Sequence, residues 1–150
     1  MLLNKEYLLK TQADGIIFPC NIAEEVVPLS EESLYQQLVF DLSSLKLPVD
    51  EVTLEFRPYS ETYYGRYFPS KHRIFIYPYM NKNGDFLSYS KILCTTIHEM
   101  VHHIQYQDVN FKRNKGIMHD PQFWKLYNHF VGRARKYEIL TEEEVKKDGN

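Results

Sequence analysis

Cysteine is scarce in this chain, which has only Cys20 and Cys94 in 150 residues. Two cysteines so far apart form no bridging pattern, so a disulfide framework is excluded and a reducing compartment is indicated. Long apolar runs are absent too: no stretch approaches the roughly 18 apolar residues of a membrane span. Residues 1–6 begin no sustained apolar segment for export. We therefore expect a cytoplasmic protein with no membrane partner.

Internal repeats, low-complexity tracts and linkers long enough to divide domains are also absent. With 43% hydrophobic and 15% aromatic residues, the chain can bury a sizeable core. We interpret the 12 Tyr and 9 Phe as core and half-buried strand residues rather than a base-stacking surface, because no RNA-binding motif places them. The sequence predicts one domain over residues 1–150, with its core at about residues 30–137.

The most informative segment present runs from Ser88 to Tyr106, contains no glycine or proline, and includes His98-Glu99-Met100-Val101-His102. Its apolar residues recur at three- and four-residue steps, which predicts a helix capped by Ser88 or Ser90. Imidazoles four residues apart lie on one helical face, so both can bind one tetrahedral metal. The carboxylate next to them can then take a proton from a water at that metal. The alternative is an exposed helix that carries two histidines by chance.

A catalytic zinc site has three protein ligands and one open position, so a third ligand must come from elsewhere. Asp108 lies six residues after His102, which is the spacing of the third zinc ligand in metzincins. That spacing requires a glycine, where the helix breaks, at the position that Gln105 occupies. Cys94 is about 12 Å along the helix axis from His102 and fits a small core residue better. Glu138 would suit a ligand on a later helix, although it lies far along the chain.

His119 is the strongest candidate for the third ligand. It precedes Asp120, a natural N-cap, and Pro121, which fits a first helical turn. A histidine held at a helix start is well placed to reach back to a metal. On spacing alone, it is equally possible that His119 is a loop histidine that binds no metal.

The histidine motif and the later segment His119-Asp120-Pro121-Gln122-Phe123 together resemble the SprT-like (Spartan-like) zinc metalloproteases. That family carries His-Glu-x-x-His followed by His-Gly-x-x-Phe. Upstream, Gly65-Arg66 and Ile74-Phe75-Ile76-Tyr77-Pro78 are similar to the family's Gly-Arg and Ile-x-Ile-Asn-Pro segments, so the likeness spans roughly residues 35–130. The resemblance implies Zn²⁺ bound by His98, His102 and His119, and Glu99 as the general base of peptide-bond hydrolysis.

The chain departs from the family pattern at three points. Asp120 replaces the usual glycine, which would alter the loop or add a carboxylate near the metal. Tyr77 stands where asparagine is common. The C-terminal zinc ribbon of many members is missing, because only two cysteines are present. Any recruitment function carried by that ribbon is therefore not expected here.

The surrounding elements are predicted from caps, turns and alternation. A first helix begins at the N-cap Ser30 and closes at Pro48, without a reciprocal capping box because Ser33 holds the third helical position. Strands are predicted around Leu54, over Thr62–Phe68 and over His72–Tyr77. A closing helix is predicted over Pro121–Lys136. At the two ends of the chain, we expect a strand or loop around residues 15–19 and a short helix or frayed end from Thr141. This order predicts an α+β fold: a zincin-type metalloprotease core with a three-stranded antiparallel sheet packed on the motif helix. One of the two later strands could pair with an extended peptide.

Charge is unevenly distributed along the chain. Residues 1–55 hold 3 basic and 10 acidic residues (net −7), and residues 56–137 hold 13 basic and 5 acidic (net +8). The basic central region includes Lys112, Arg113 and Lys115 between the candidate ligands. Besides a protein or peptide substrate, nucleic acid is therefore a possible partner, through counterion release; the alternative is an ordinary solvated surface.

The sequence does not decide which residue would stabilise the oxyanion, nor which class of protein this is. The residues that could donate a hydrogen bond to the oxyanion of a hydrolysed peptide are Tyr64, Tyr127, His129 and Tyr137. His103 is predicted to be a neighbour without metal, because adjacent helical residues point about 100° apart. The alternatives to a protease of this family are another class of zinc metallopeptidase, a nucleic-acid-binding module with a structural zinc, and a structural protein of viral or mobile-element type with an inactive site.

Overall fold

The computed structural model describes residues 30–110 and 118–140. Some predicted features fall outside these ranges: the segment at residues 15–19, Cys20, the loop cations Lys112, Arg113 and Lys115, and the tail from Thr141. Within the described ranges, no helix has both the length and the apolar character needed to cross a membrane.

Helix α1 (Glu31–Ser44) begins at its predicted N-cap, Ser30, whose hydroxyl accepts a hydrogen bond from the Ser33 N–H at 3.1 Å. The prediction that a reciprocal capping box is missing is wrong. The Ser33 hydroxyl accepts from the Ser30 N–H at 3.2 Å, so a serine does here what a glutamate usually does. The apolar face of α1 contributes three fully buried leucines to the core, namely Leu34, Leu38 and Leu42.

Three short strands follow: β1 (Thr53–Phe56), β2 (Gly65–Phe68) and β3 (Arg73–Ile76). Each overlaps its predicted segment, but β2 begins three residues after Thr62. A 3₁₀ turn at Pro69–Lys71 joins β2 to β3, and the residue that follows the turn has a left-handed backbone, with φ 48°. This short connection makes β2 and β3 an antiparallel hairpin.

The predicted antiparallel sheet is wrong in one respect, because the strand order is β1-β3-β2 and β1 runs parallel to β3. Leu54 pairs with Ile74, and Phe56 pairs with Ile76, across this parallel ladder. The cause is the segment at residues 57–64, which crosses the end of β3 before β2 begins. Two consecutive strands therefore do not pair. Among the described residues, β3 is the central strand and β2 is an edge strand.

Helix α2 (Tyr89–Gln107) carries the histidine motif and matches the predicted span, with Ser88 as its N-cap. It packs on β2, on β3 and on helix α3 (Pro121–Lys136). The core lies between these elements and α1, and its fully buried members include Leu38, Ile74, Ile97, Met100 and Phe123. The α+β prediction is confirmed.

One carboxyl group is buried where α1 meets α2. Asp41 is 4% exposed and accepts hydrogen bonds from the Tyr89 hydroxyl at 2.5 Å and from the Gln37 amide at 3.0 Å. Burial raises the pKa of Asp41 to about 6, against the lowering effect of these two donors. Asp41 therefore keeps its proton to a higher pH in the folded protein than in the unfolded chain.

Candidate metal centre

The structure brings three histidines from two elements into one cluster. Helix α2 stacks His98 and His102 one turn apart, and His119 reaches them from the residue just before the N-cap of α3. One ligand nitrogen from each ring can be chosen so that all three lie within 4.8 Å of one another. The Nε2 atoms of His98 and His119 are 3.1 Å apart. Two nitrogens bound to the same tetrahedral zinc are roughly 3.3 Å apart, so this cluster could hold a metal ion.

A short cap positions the third histidine. Asp120 accepts a hydrogen bond from the Phe123 N–H at 2.9 Å, and Pro121 occupies the first turn of α3, as predicted. Because this cap fixes where α3 begins, it also fixes the backbone of His119.

Phe123 packs against all three imidazole rings of the cluster. It is fully buried, and its ring centroid lies 4.8 Å from that of His98, 4.7 Å from that of His102 and 4.8 Å from that of His119. Packing against one rigid ring restricts the orientation of all three imidazoles. Phe123 ends the segment His119-Asp120-Pro121-Gln122-Phe123 on which the resemblance rests, but the sequence analysis predicted no role for its ring at the cluster. Its position four residues after His119, on the first turn of the next helix, is the signal that could have indicated this role.

Burial also sets the protonation of the cluster. Burial, followed by the neighbouring His119, lowers the pKa of His98 to about 4, and burial lowers the pKa of His119. The neutral imidazole that these shifts favour is the form that binds metals.

Glu99 lies beside the cluster, against strand β2. It is 7% exposed, and burial raises the pKa of its carboxyl group to about 8. A Cβ atom on Gly65 would lie 3.1 Å from both the Cγ and the Oε2 of Glu99. The glycine therefore allows the edge strand to approach the carboxylate closely.

An open cleft of about 330 Å³ adjoins the cluster and includes His98 and Glu99 in its wall. Of the four candidate oxyanion donors, Tyr64 and Tyr127 line this cleft. The other two lie elsewhere: His129 accepts from Arg133 at 2.7 Å, and Tyr137 caps the end of α3. The cleft wall also contains residues that sequence reasoning did not nominate, namely Lys91, Thr95 and Trp124.

The other candidate ligands do not join the cluster in the part of the chain that the structure describes. Asp108 caps the end of α2, and its carboxylate accepts from the Asn110 N–H at 2.9 Å. Asp120 acts as the helix cap described above. Glu138 lies two residues beyond α3. Cys94 is 5% exposed and lines the cleft, without joining the histidine group.

His103, which follows His102 on α2, makes contacts on a different side of the helix. It is fully buried, with Nδ1 2.8 Å from the Tyr67 hydroxyl and Nε2 2.9 Å from a Glu51 carboxylate oxygen. A carboxylate only accepts, so the proton is on Nε2, and in the neutral ring Nδ1 accepts from the tyrosine. Both ring nitrogens are therefore engaged away from the cluster.

No protein-family model matches this chain, and neither curated proteins nor solved structures include a match. The geometry of the cluster and its cleft is therefore the basis for a functional proposal.

Proposed function

We propose that this protein is a zinc-dependent metalloprotease with a small zincin-type core, of the SprT-like kind that its motifs resemble. The observation that carries the proposal is the convergence of three imidazoles beside a buried carboxylate in an open cleft. Three nitrogen donors with one side open to solvent are the donor set of a catalytic zinc site. His98, His102 and His119 would hold the ion, which would supply the Lewis acidity that makes water nucleophilic near neutral pH.

Glu99 is the general base in this proposal. It follows His98 on α2, so its carboxylate adjoins the cluster on the side where the cleft opens. The carboxylate takes a proton from the attacking water and passes it to the nitrogen of the leaving amine. Strand β2 lies close against the Glu99 side chain, because Gly65 has no side chain between them. A cation in the cluster would favour the ionised form that this role requires.

The cleft supplies the remaining parts of a hydrolytic site. Tyr64 and Tyr127 line it and are the residues from which we expect a hydrogen bond to the developing oxyanion. Strand β2 is an edge strand among the described residues, and its first residue touches Glu99. A substrate peptide that pairs with β2 would therefore run past the general base in an extended conformation.

The decisive experiment measures zinc content and cleavage of a labelled, denatured protein by the wild type, Glu99→Gln and His119→Ala. We expect the wild type to bind one zinc and to cleave. Glu99→Gln should keep the zinc and lose cleavage, and His119→Ala should lose both. Glu138→Gln is the matched control, because it removes an exposed carboxylate that was a rival ligand, and it should keep both properties.

Three outcomes would contradict the proposal. Cleavage that survives in Glu99→Gln would remove the proposed base and point to another mechanism. A wild type that binds zinc but cleaves nothing would favour a zinc-binding protein without protease activity. Loss of zinc in Glu138→Gln instead of His119→Ala would indicate a different class of zinc site.

A further inference from the structure

The cleft beside the histidine cluster contains a lysine whose charge has no role in the proposed hydrolysis. Lys91 is half-buried on α2 and lines this cleft together with His98 and Glu99. Its Nζ lies 4.3 Å from the ring centroid of Tyr64, so the ammonium group is held against an aromatic part of the wall. Among the described residues that line the cleft, Lys91 is the only lysine or arginine. It therefore places a positive charge at one end of the cleft.

The position of Lys91 is electrostatically unfavourable for the helix that carries it. Lys91 is the third residue of α2, and the dipole of a helix favours anions in this first turn, where α2 has no acidic residue. Within residues 30–110 and 118–140, no carboxylate lies within ion-pair distance of its ammonium group. The charge of Lys91 is therefore available to an anion that enters the cleft.

Helix α2 and strand β2 run side by side in the same direction. Successive residues of β2, and the residue just before it, meet successive turns of α2: Tyr64 meets Lys91, Gly65 meets Glu99, and Tyr67 meets His103. A peptide that pairs with β2 would therefore run along α2. Lys91 lies two turns before His98, about 10 Å along the helix axis. An extended peptide covers that distance in about three residues.

The direction of such a peptide follows from the direction of β2. An antiparallel partner is expected, because antiparallel ladders are slightly more stable per residue than parallel ones. Its chain would run opposite to β2, from the His103 end of α2 toward the Lys91 end. Lys91 would then lie on the C-terminal side of a peptide bond held at the histidine cluster.

We propose that Lys91 forms a carboxylate subsite, which binds a carboxylate of the substrate two or three residues after the cleaved bond. The group is the side chain of an aspartate or glutamate, or the free C-terminus, since both present the same oxygens to the ammonium. A single ammonium, with no second cation in the described wall, matches one negative charge better than a phosphate dianion. The position relative to the cleaved bond rests on the proposed function, whereas the binding itself does not.

Trp124 makes this binding measurable without cleavage. It lines the cleft, is 42% exposed and is the single tryptophan of the chain, so its fluorescence reports a peptide in the cleft. The full chain, in chelator so that no metal competes for the carboxylate, is titrated with three acetylated decapeptides of one alanine–threonine sequence. Two are amidated and carry a central glutamate or glutamine, and the third is the glutamine peptide with a free C-terminus.

We expect the glutamate peptide, the free-end peptide, or both to bind about five- to tenfold tighter than the amidated glutamine peptide. This is the contribution of a charge-assisted hydrogen bond at a half-exposed site. The tighter of the two identifies the carboxylate as that of a side chain or of a chain end. Equal binding of all three peptides would overturn the proposal, as would no binding at all.

Variants assign the preference to this lysine. Lys91→Met keeps the length of the side chain and should reduce the preference to about one, whereas Lys91→Arg should retain it. Lys91→Glu suits the first turn of a helix, so it should fold, and it should prefer a central lysine over glutamine. The matched control Lys136→Met removes an exposed cation from the last residue of α3 and should keep the preference. A preference that survives in Lys91→Met, or is lost equally in the control, would refute the subsite.

Cleavage by the zinc-loaded wild type tests the position of the subsite separately. Mass spectrometry should place the glutamate two or three residues after the cleaved bond, and the ratio of kcat/KM for the glutamate and glutamine peptides should fall to about one in Lys91→Met. A glutamate before the cleaved bond would overturn the proposed position. If no peptide is cleaved but the fluorescence preference depends on Lys91, the protease function is refuted and the carboxylate subsite is supported.

Discussion

The close approach between the sheet and the motif helix at Gly65 makes Gly65→Ala a sharp test of the structure. A Cβ atom at Gly65 would lie 2.8 Å from the Thr95 Cγ2 and 3.1 Å from the Glu99 Cγ and Oε2. Contacts under 3.0 Å require something to move. We therefore expect the methyl group to push β2 away from α2 and to displace Glu99, the proposed general base.

The sign of the stability change distinguishes this clash from a harmless substitution. Replacing a strand glycine by alanine without a clash stabilises a protein by about 0.5–1 kcal/mol. Overpacking a tight contact costs about 1–3 kcal/mol. We expect the second effect to dominate, so Gly65→Ala should lower the free energy of unfolding by about 1–2 kcal/mol. It should also reduce cleavage while the zinc content stays the same.

The assay is urea unfolding of a double-mutant cycle with Thr95→Ser, which removes the methyl group in the shortest contact. The double variant should recover about 1 kcal/mol relative to the sum of the single changes. Gly132→Ala is the control, because a Cβ there meets nothing within 4 Å and the residue lies inside α3. It should stabilise the protein by about 1 kcal/mol. Additive single changes, or a Gly65→Ala variant as stable as the wild type, would refute the close approach.

Three further predictions concern pH, metal and a buried histidine. Burial raises the pKa of Asp41 to about 6 in the folded protein, so the folded state binds more protons than the unfolded chain between about pH 4 and 6. Asp41 should then lower the free energy of unfolding by up to about 3 kcal/mol as the pH rises through that window. In urea titrations at several pH values, the wild type should lose that much more stability than Asp41→Asn, in which Glu99 still contributes a fall of the same sign. Zinc at a hundred times its Kd should raise the Tm of the wild type by roughly 5–10 °C in calorimetry, and His119→Ala should show no such rise. His103→Leu leaves the Tyr67 hydroxyl and Glu51 without their partner and should cost about 1–3 kcal/mol in urea unfolding, with one zinc still bound; a loss of zinc would contradict the separation of the two histidines.

The features that the sequence predicted correctly depend on neighbours along the chain. Ser88 and Asp120 cap α2 and α3 as expected, because a cap requires only a side-chain oxygen and an N–H three residues later. The sequence also predicted that His98 and His119 lie close together, for a related reason. Helix α2 fixes the relative positions of His98 and His102, and the start of α3 restricts the position of His119.

What the sequence did not reveal depends on residues that are distant along the chain. Alternating hydrophobicity marks a strand but carries no information on its partner, so the insertion of β3 between β1 and β2 was missed. The pairing of β2 with β3 is different, because the short turn at Pro69–Lys71 joins two strands that are neighbours along the chain.

The two adjacent histidines of α2 have a mechanical consequence. His102 belongs to the histidine cluster and packs on Phe123, whereas His103 contacts strand β2 through Tyr67 and the turn before β1 through Glu51. The helix is thus held on two sides of its circumference, about 100° apart. It cannot roll about its own axis without breaking one set of contacts. The rotation of α2 about its axis is therefore coupled to the sheet, and a displacement of His98 and His102 would also move the edge strand β2.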